Sequence, residues 1–423
     1  MSASPTAPVA VPYLADEHRV ALRESARALL SSRALIWVAG IVTVLIVGPD
    51  KLAANSFNHR HLVTPFDDTL ANVLVSPAAR WDSVWFLGIA QFGYHHPDQT
   101  VFFPLYPTLV AAGGALLDGG IAANLVAGIL LSLGSALGAL YLLYRLTALE
   151  LGPDVARNAV WIYAWLPAAF FLSAVYTEAL FLMLTLGSFY AARTGRWWVA
   201  GALGVLAAAT RNSGILLVLP LAALYLYGPR ADRQPDSAAA GLKPRYRLRR
   251  DALWIAAVPL GLVAYLAFLK VTQGHALTPF QQESHWHRSF VPLGGIPAGT
   301  WLGLKSLVAF IPGLPPAVSM GEVRKVVELG FLAIALWLLW QSRRRLPLAY
   351  TAYAAAGLAL AVSVPTPWEP LRSLPRFTLV IFPLWIALSL WATERHRVRA
   401  VLLGCAPLVA AWAVMFTSWT WAA

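Results

Sequence analysis

Long apolar segments separated by short basic loops run through most of this 423-residue chain. About 20 consecutive apolar residues are enough to cross the hydrocarbon core of a bilayer, and a backbone in lipid must satisfy its own hydrogen bonds, which favours helices. Only 12% of the residues are charged, against about 25% in ordinary soluble domains. The sequence therefore predicts an all-α integral membrane protein and excludes soluble enzymes and disordered scaffolds.

About eleven segments are long and apolar enough to predict membrane-spanning helices once their flanks are included. They are residues 34–47, 122–144, 155–173, 177–192, 197–209, 214–227, 252–272, 326–340, 346–364, 375–391 and 398–419. Residues 102–117 and 301–316 are also apolar, but proline and glycine interrupt them. These two stretches are expected to be interfacial or re-entrant helices on the outer side.

The charge pattern predicts an orientation. The formal net charge is +12, and the basic residues recur in alternate loops, as they do in cytoplasmic loops facing anionic lipid. We therefore expect a cytoplasmic segment over residues 1–33, disordered at residues 1–12, and one membrane domain over 34–423. Its outer loops are 49–121 and 273–325, and a basic cytoplasmic loop covers 228–251. Because the basic residues follow topology, nucleic acid is not an expected partner.

The first outer loop contains a carboxylate among aromatic residues, in the sequence Arg80-Trp81-Asp82. A partly desolvated Asp82 can act as a general base, and Trp81 and Trp85 can stack on a sugar ring. Two alternatives remain open. Arg80 and Asp82 can form a surface ion pair, and the tryptophans can belong to an interfacial aromatic belt.

A second acid and several arginines fall at other predicted outer turns. Glu178 directly precedes an apolar span, where it can serve the site or favour the start of a helix. Arg211 and Asn212 interrupt an apolar hairpin, and Arg372 and Arg376 flank the last outer turn. A guanidinium at the membrane edge suits a lipid phosphate, although Arg211 can also reach ordinary headgroups or pair with Glu178. Together these residues predict a site for a phosphate-bearing lipid and a hydroxyl acceptor.

Cofactor signatures are absent from the sequence. It contains no phosphate-binding G-x-x-x-x-G-K-[ST] run and no dinucleotide fingerprint, so no cofactor is expected. The outer loops contain three histidine pairs, but none has a distinctive metal-ligand spacing, and no metal is expected. These pairs are His59 and His61, His95 and His96, and His285 and His287.

Four blocks of sequence resemble the PIG-V family. This family contains the relatives of GPI mannosyltransferase II and includes bacterial members. RWDSVWFLGIAQFGYHHPDQTVFFPLYP at residues 80–107 is the most specific block. FFLSAVYTEALF at 170–181 and ATRNSGIL at 209–216 are similar to the same family, and RFTLVIFPL at 376–384 is less distinctive. The similarity covers most of residues 80–227. Trp85 stands where family members often have histidine.

The resemblance implies a GT-C glycosyltransferase fold and an inverting transfer of a sugar, with mannose expected, from a polyprenyl-phosphate donor. The acceptor would be a glycolipid or glycan, on the non-cytoplasmic face of the cell membrane, or of the endoplasmic reticulum in a eukaryote. Asp82 matches the base expected in the first outer loop, while Arg211 and Arg376 are candidates for binding the phosphate. Glu178 would orient the acceptor or hold Arg211. Arg80, Trp81, Trp85, Tyr94, Tyr106, Tyr176 and Asn212 complete the predicted substrate-binding set.

Two other functions remain open. A transporter or flippase of polyprenyl-linked sugars would also need spanning helices and outer arginines, but it predicts internal repeats and polar pairs midway through the membrane. The sequence shows no convincing repeat. An inactive scaffold is the other alternative, because Trp85 departs from the family pattern.

Overall fold

The computed structural model describes residues 12–236, 243–312 and 318–420, and every regular element within these ranges is helical. The predicted all-α class is therefore confirmed. Three predicted segments lie partly outside the described residues. They are the disordered segment 1–12, nearly all of which is outside, the basic loop 228–251 at its centre, and the re-entrant stretch 301–316 at its end.

The first half of the chain forms ten α-helices in the described ranges. They are α1 (Pro12–Val47), α2 (Pro49–Ala53), α3 (Thr69–Val75), α4 (Asp82–Phe92), α5 (Leu105–Ala115), α6 (Gly120–Leu151), α7 (Pro153–Ala164), α8 (Glu178–Arg193), α9 (Trp197–Thr210) and α10 (Val218–Tyr227). Short 3₁₀ helices cover His59–His61, Ser76–Ala78, Pro97–Val101, Pro167–Leu172 and Asn212–Leu217.

The second half continues with shorter and more interrupted helices. They are α11 (Leu253–Ala257), α12 (Leu260–Gln273), α13 (Thr278–Gln282), α14 (Gly295–Leu307), α15 (Met320–Arg345), α16 (Leu348–Val362), α17 (Leu374–Leu379), α18 (Phe382–Glu394) and α19 (Val398–Thr417). Two more 3₁₀ helices cover Arg250–Ala252 and Val308–Phe310.

Each predicted span contains a helix, but several spans are broken. Among the described residues, three helical stretches are long and apolar enough to cross a membrane unaided: Asp16–Val47, Gly120–Leu151 and Val398–Thr417. A fourth crossing is formed if the pair containing α11 and α12, bent by 44°, counts as one span. The chain is thus a multi-pass membrane protein, while the count of eleven crossings stays a prediction.

The N-terminal boundary predicted at residue 33 falls inside α1, which runs without a break from Pro12 to Val47. Arg33 is buried in the bundle. Its guanidinium donates to the carbonyl oxygens of Ala164 at 3.0 Å and Ala169 at 2.8 Å. Because α7 ends at Ala164, these carbonyls lie where regular helical pairing stops, and Arg33 satisfies them.

Close helix packing positions α9, whose last residue precedes Arg211. A β-carbon at Gly201 would lie 2.3 Å from the carbonyl oxygen of Trp254, and one at Gly261 would lie 2.0 Å from that of Val205. Glycine at these two positions lets the backbones of α11 and α12 approach α9 more closely than a larger residue would permit. The end of α9 is therefore fixed against two neighbouring helices.

Helix α8 separates the predicted outer turns from the basic loops. It contains 16 residues, from Glu178 to Arg193, a length of about 24 Å. At its far end, Arg193 forms an ion pair with Glu150 at 2.6 Å, and the carbonyl of Arg193 accepts a hydrogen bond from Ala231 in the basic loop. Glu178 and the basic loop thus lie at opposite ends of this helix.

Candidate active site

A cavity of about 400 Å³ lies beside the start of α4, and the predicted candidates meet there. Six of them line its wall: Trp81, Asp82, Trp85, Arg211, Asn212 and Arg376. They come from three separate parts of the sequence, and the fold brings them together around one space. The rest of the wall is largely apolar, so charges inside the cavity are shielded less by water than charges on the surface.

A strained turn directs Asp82 into the cavity. The preceding residue, Trp81, has φ 55° and ψ −117°, a conformation that costs energy for a residue with a β-carbon. The hydroxyl group of Tyr176 stabilises this turn, accepting from the backbone N–H of Asp82 at 3.1 Å and donating to the carbonyl of Arg80 at 3.3 Å. Tyr176 therefore fixes the backbone of Asp82 from behind the wall.

Ion pairs connect the two acids and the two arginines. The Nη1 of Arg376 donates to Oδ2 of Asp82 at 2.5 Å, and its Nε donates to Oε1 of Glu178 at 2.5 Å. The same Oε1 accepts a hydrogen bond from Nη1 of Arg211 at 2.6 Å. The order is Asp82, Arg376, Glu178, Arg211, with charges of alternating sign.

Burial explains why the four groups are joined. Glu178 is 0% exposed, and an isolated buried carboxylate would be strongly unfavourable without cationic partners. Arg211 adds a hydrogen bond to the hydroxyl of Thr177 at 3.0 Å. The sequence left open that Arg211 pairs with Glu178, and the structure has this pair.

Besides Tyr176, which lies behind the wall, three predicted substrate-binding residues do not line the cavity. Arg80 is fully buried and donates to the backbone carbonyls of Ser76, Ala79 and Thr417, so it does not form the surface pair with Asp82 that the sequence left open. Tyr106 donates to the carbonyl of Gly128 at 3.1 Å, and Tyr94 to that of Phe102 at 2.6 Å. All three side chains support the shape of the outer loop and contribute no surface to the cavity.

The second outer loop contributes three wall residues that the sequence analysis did not identify: Glu283, Trp286 and Arg288. They follow α13 in the sequence QQESHWHRSF. In this stretch the signal of a wall segment is the arginine and the tryptophan in an otherwise polar loop, rather than the histidine pair. Burial raises the pKa of the Glu283 carboxyl, opposed by Arg288, and burial lowers the pKa of Arg288.

Aromatic rings form one side of the cavity. Trp85 stacks on Phe102 with ring centres 5.7 Å apart and meets the edge of Trp286 at 5.5 Å. Such rings offer flat apolar faces of the kind that sugars contact. Across the ranges that the structure describes, no group of three or more histidine, cysteine or acidic side chains is arranged to hold a metal ion.

Comparisons with known proteins agree with the sequence motifs. The family model described as mannosyltransferase (PIG-V) matches residues 23–224. GPI alpha-1,6-mannosyltransferase 2 of Cricetulus griseus is 34% identical over 181 residues, which are 41% of this chain and 36% of that protein. The protein of the same name from Mus musculus is 35% identical over 156 residues, 35% of this chain and 32% of that protein.

More distant proteins also match. GPI mannosyltransferase 2 of Cryptococcus neoformans is 29% identical over 184 residues, 39% of this chain and 41% of that protein. A solved structure, the archaeal oligosaccharyltransferase AglB from Archaeoglobus fulgidus in complex with an inhibitory peptide and a dolichol-phosphate, aligns with a TM-score of 0.42 and 13% identity. That alignment covers 91% of this chain and 56% of AglB.

The matched regions span only about a third of the length of the mammalian relatives, 36% and 32% of the two proteins. They nevertheless agree with the family suggested by the motifs, and residues 23–224 include Asp82, Glu178 and Arg211. The resemblance read from the sequence is thus confirmed: residues 23–224, which carry these three site residues, are similar to the mannosyltransferase (PIG-V) family.

Proposed function

We propose that the protein is a GT-C-type glycosyltransferase that moves mannose from a polyprenyl-phosphate donor to a hydroxyl of a glycolipid or glycan. The family match and the names of the relatives support mannose transfer. One observation carries the proposal: a carboxylate, Asp82, shares the wall of one cavity with Arg211 and Arg376. A base beside cations is the arrangement needed to activate a hydroxyl and stabilise a departing phosphate.

Asp82 is the proposed base. Its Oδ2 accepts from Arg376, while its Oδ1 has no hydrogen bond from the described part of the chain. Oδ1 would accept the proton of the acceptor hydroxyl as that oxygen attacks the anomeric carbon of the donor sugar. The bond from this carbon to the phosphate oxygen breaks, and the polyprenyl phosphate leaves from the opposite side, which inverts the configuration. Positioned base catalysis contributes about 10²- to 10⁴-fold.

The two arginines would stabilise the negative charge that grows on the phosphate. Arg376 is placed to link this function to the base, since it contacts Asp82 directly. Glu178 lies behind the wall and holds both guanidinium groups, so we assign it a positioning role. Trp85 and its aromatic neighbours would contact a sugar ring.

We place the site on the non-cytoplasmic face. Glu178 begins α8, and the basic loop follows the opposite end of that helix, where Arg193 lies. Basic loops are retained on the cytoplasmic side. A cytoplasmic basic loop would leave Glu178 and the cavity, at the other end of α8, on the non-cytoplasmic side.

The test is a transfer assay with the purified protein in detergent, radiolabelled polyprenyl-phosphate-mannose and a panel of glycolipid acceptors. Wild-type protein should produce labelled glycolipid. Asp82→Asn should lower turnover by at least about 10²-fold because it removes the base. A flippase would give no product, since detergent micelles have no second compartment and transport leaves the sugar on its carrier.

Asp67→Asn is the matched control, because Asp67 lies exposed in the same outer loop. It should transfer mannose at the wild-type rate, and both variants should unfold near the wild-type temperature. Full turnover in a folded Asp82→Asn protein would remove Asp82 from the role of base. Absence of transfer by the wild-type protein with every acceptor would count against the proposed activity.

A further inference from the structure

The loop after α13 brings an arginine to the cavity that the ion-pair chain does not use. Arg288 lines the wall together with Glu283 and Trp286. All three lie beyond residues 23–224, the part matched by the family model. A backbone hydrogen bond of 3.0 Å from Arg288 to the carbonyl of Glu283 closes the turn that carries them. The turn fixes the position of the Arg288 backbone beside the cavity.

The arginines of the cavity differ in whether a carboxylate pairs with them. Arg376 has carboxylate partners on two of its nitrogens, and Arg211 donates to Glu178. Arg288 has no carboxylate oxygen within 4 Å and no side-chain hydrogen bond among residues 12–236, 243–312 and 318–420. A cation in an apolar cavity without a direct anion is costly, and an anionic ligand would remove that cost.

Aromatic contact holds this guanidinium in place. Its centre lies 5.1 Å from the centre of the Phe377 ring, and Phe377 directly follows Arg376 in the sequence. Stacking on a ring restrains the plane of a guanidinium and leaves its N–H edges available for a bidentate anion. Arg288, Arg372 and Arg376 all line the cavity. Burial lowers the pKa of Arg288, Glu283 opposes this shift, and the positive charges of Arg376 and Arg372 add to it.

We propose that Arg288 binds the phosphate of the polyprenyl donor. The proposal rests on the proposed function and deepens it, assigning to Arg288 the direct contact with the leaving phosphate, while Arg376 is shared with Asp82 and Glu178. The recognised chemistry is a phosphate group. A phospholipid headgroup or free phosphate could supply the same chemistry, so the experiment must separate these sources from an isoprenoid phosphate.

The experiment measures binding, independently of turnover. Full-length protein in detergent is titrated with undecaprenyl phosphate, undecaprenol, dioleoyl phosphatidic acid and inorganic phosphate, and the dissociation constants are compared. Wild-type protein should bind undecaprenyl phosphate at least 10-fold more tightly than undecaprenol. Arg288→Gln should weaken binding of undecaprenyl phosphate by about 10-fold or more, the effect of losing a hydrogen bond to a charged group, and leave undecaprenol unchanged. Arg288→Lys should restore part of the loss.

Arg60→Gln is the matched control. Arg60 is an exposed arginine of the first outer loop that also lies over an aromatic ring, with its guanidinium 4.5 Å from the centre of Phe92. It does not line the cavity, so this variant should bind undecaprenyl phosphate as the wild type does. An equal loss in both variants would show a general charge effect and overturn the assignment.

The remaining outcomes separate the two proposals. Unchanged binding of undecaprenyl phosphate by folded Arg288→Gln would overturn the role of Arg288, and wild-type transfer of mannose would still support the proposed function. An equal effect of Arg288→Gln on phosphatidic acid or inorganic phosphate would overturn recognition of the donor. Binding that depends on Arg288 in a protein that transfers no sugar would support the phosphate site and contradict the proposed activity.

Discussion

Glu178 uses one oxygen atom to hold two arginines, and its second oxygen has no hydrogen-bond partner among the described residues. A carboxylate with no exposed surface does not gain enough from two ion pairs to explain its presence by stability alone, because desolvation offsets much of the attraction. Its effect is geometric. It holds Arg211 and Arg376 side by side, and Arg376 in turn donates to Oδ2 of Asp82.

Glu178→Gln is expected to lower both the stability of the protein and its activity. Buried Arg376 and half-buried Arg211 would lose their shared anion, so the free energy of unfolding should fall by about 3–5 kcal/mol, as when a buried pair is broken. Mannose transfer should also fall, and Glu178→Asp should retain more of both properties than Glu178→Gln. Thermal unfolding in detergent and the transfer assay measure these effects.

Glu322→Gln provides the comparison for Glu178→Gln. Glu322 forms a more exposed pair with Lys325 at 2.9 Å, one turn along α15. Its loss should cost less than about 1 kcal/mol. Equal stability of the Glu178→Gln and Glu322→Gln proteins would show that the buried carboxylate does not hold the arginines in place.

Sequence chemistry identified Asp82, Glu178, Arg211 and Arg376 because an acid or arginine beside an apolar span is unusual and informative. It could not separate Arg80 from Asp82, two positions apart, since the strained Trp81 turn points them in different directions. Arg288 was missed for a related reason: its importance arises from Phe377, nearly ninety positions later in the chain. A contact between segments that are distant in the sequence can be seen only once the fold is known.

At the scale of helices, hydropathy located the elements but not their breaks. The span predicted at 252–272 is divided into α11 and α12, with Pro259 between them, and the span at 155–173 changes to a 3₁₀ helix at Pro167. Proline removes a backbone donor and prevents regular helical pairing. The sequence shows where a break can occur, while neighbouring helices determine how far the chain bends there.

Gly261→Ala tests whether the contact between α9 and α12 determines the stability of the bundle. The added carbon would lie 2.0 Å from the carbonyl oxygen of Val205 and 2.8 Å from the amide nitrogen of Ala209. These are backbone atoms, so the helices must separate, and we expect a loss of about 1–3 kcal/mol in unfolding free energy. Thermal unfolding in detergent measures the change.

Gly330→Ala is the helical control, because a β-carbon there meets no atom within 4 Å. Alanine forms helices better than glycine does, by roughly 1 kcal/mol, so this variant should be at least as stable as the wild type. A Gly261→Ala protein as stable as Gly330→Ala would mean that α9 and α12 are not closely packed.

The proposed function requires that the cavity and the basic loop lie on opposite sides of one bilayer. Cysteine labelling measures this directly, since the chain has one native cysteine, Cys405. In a Cys405→Ala background, Asp67→Cys reports on the first outer loop and Arg247→Cys on the basic loop, at two exposed positions. A membrane-impermeant maleimide added to intact cells should label position 67 and leave position 247 unlabelled.

Permeabilised cells supply the control for accessibility, because both cysteines should then react. The energetic reason for the expected orientation is that each Lys or Arg near a cytoplasmic leaflet gains about 1 kcal/mol from anionic lipid, and several basic residues lie between positions 230 and 250. Labelling of position 247 in intact cells would place this loop outside. Because Glu178 and the basic loop lie at opposite ends of α8, the cavity would then face the cytoplasm, and a donor on the outer leaflet could not reach Asp82.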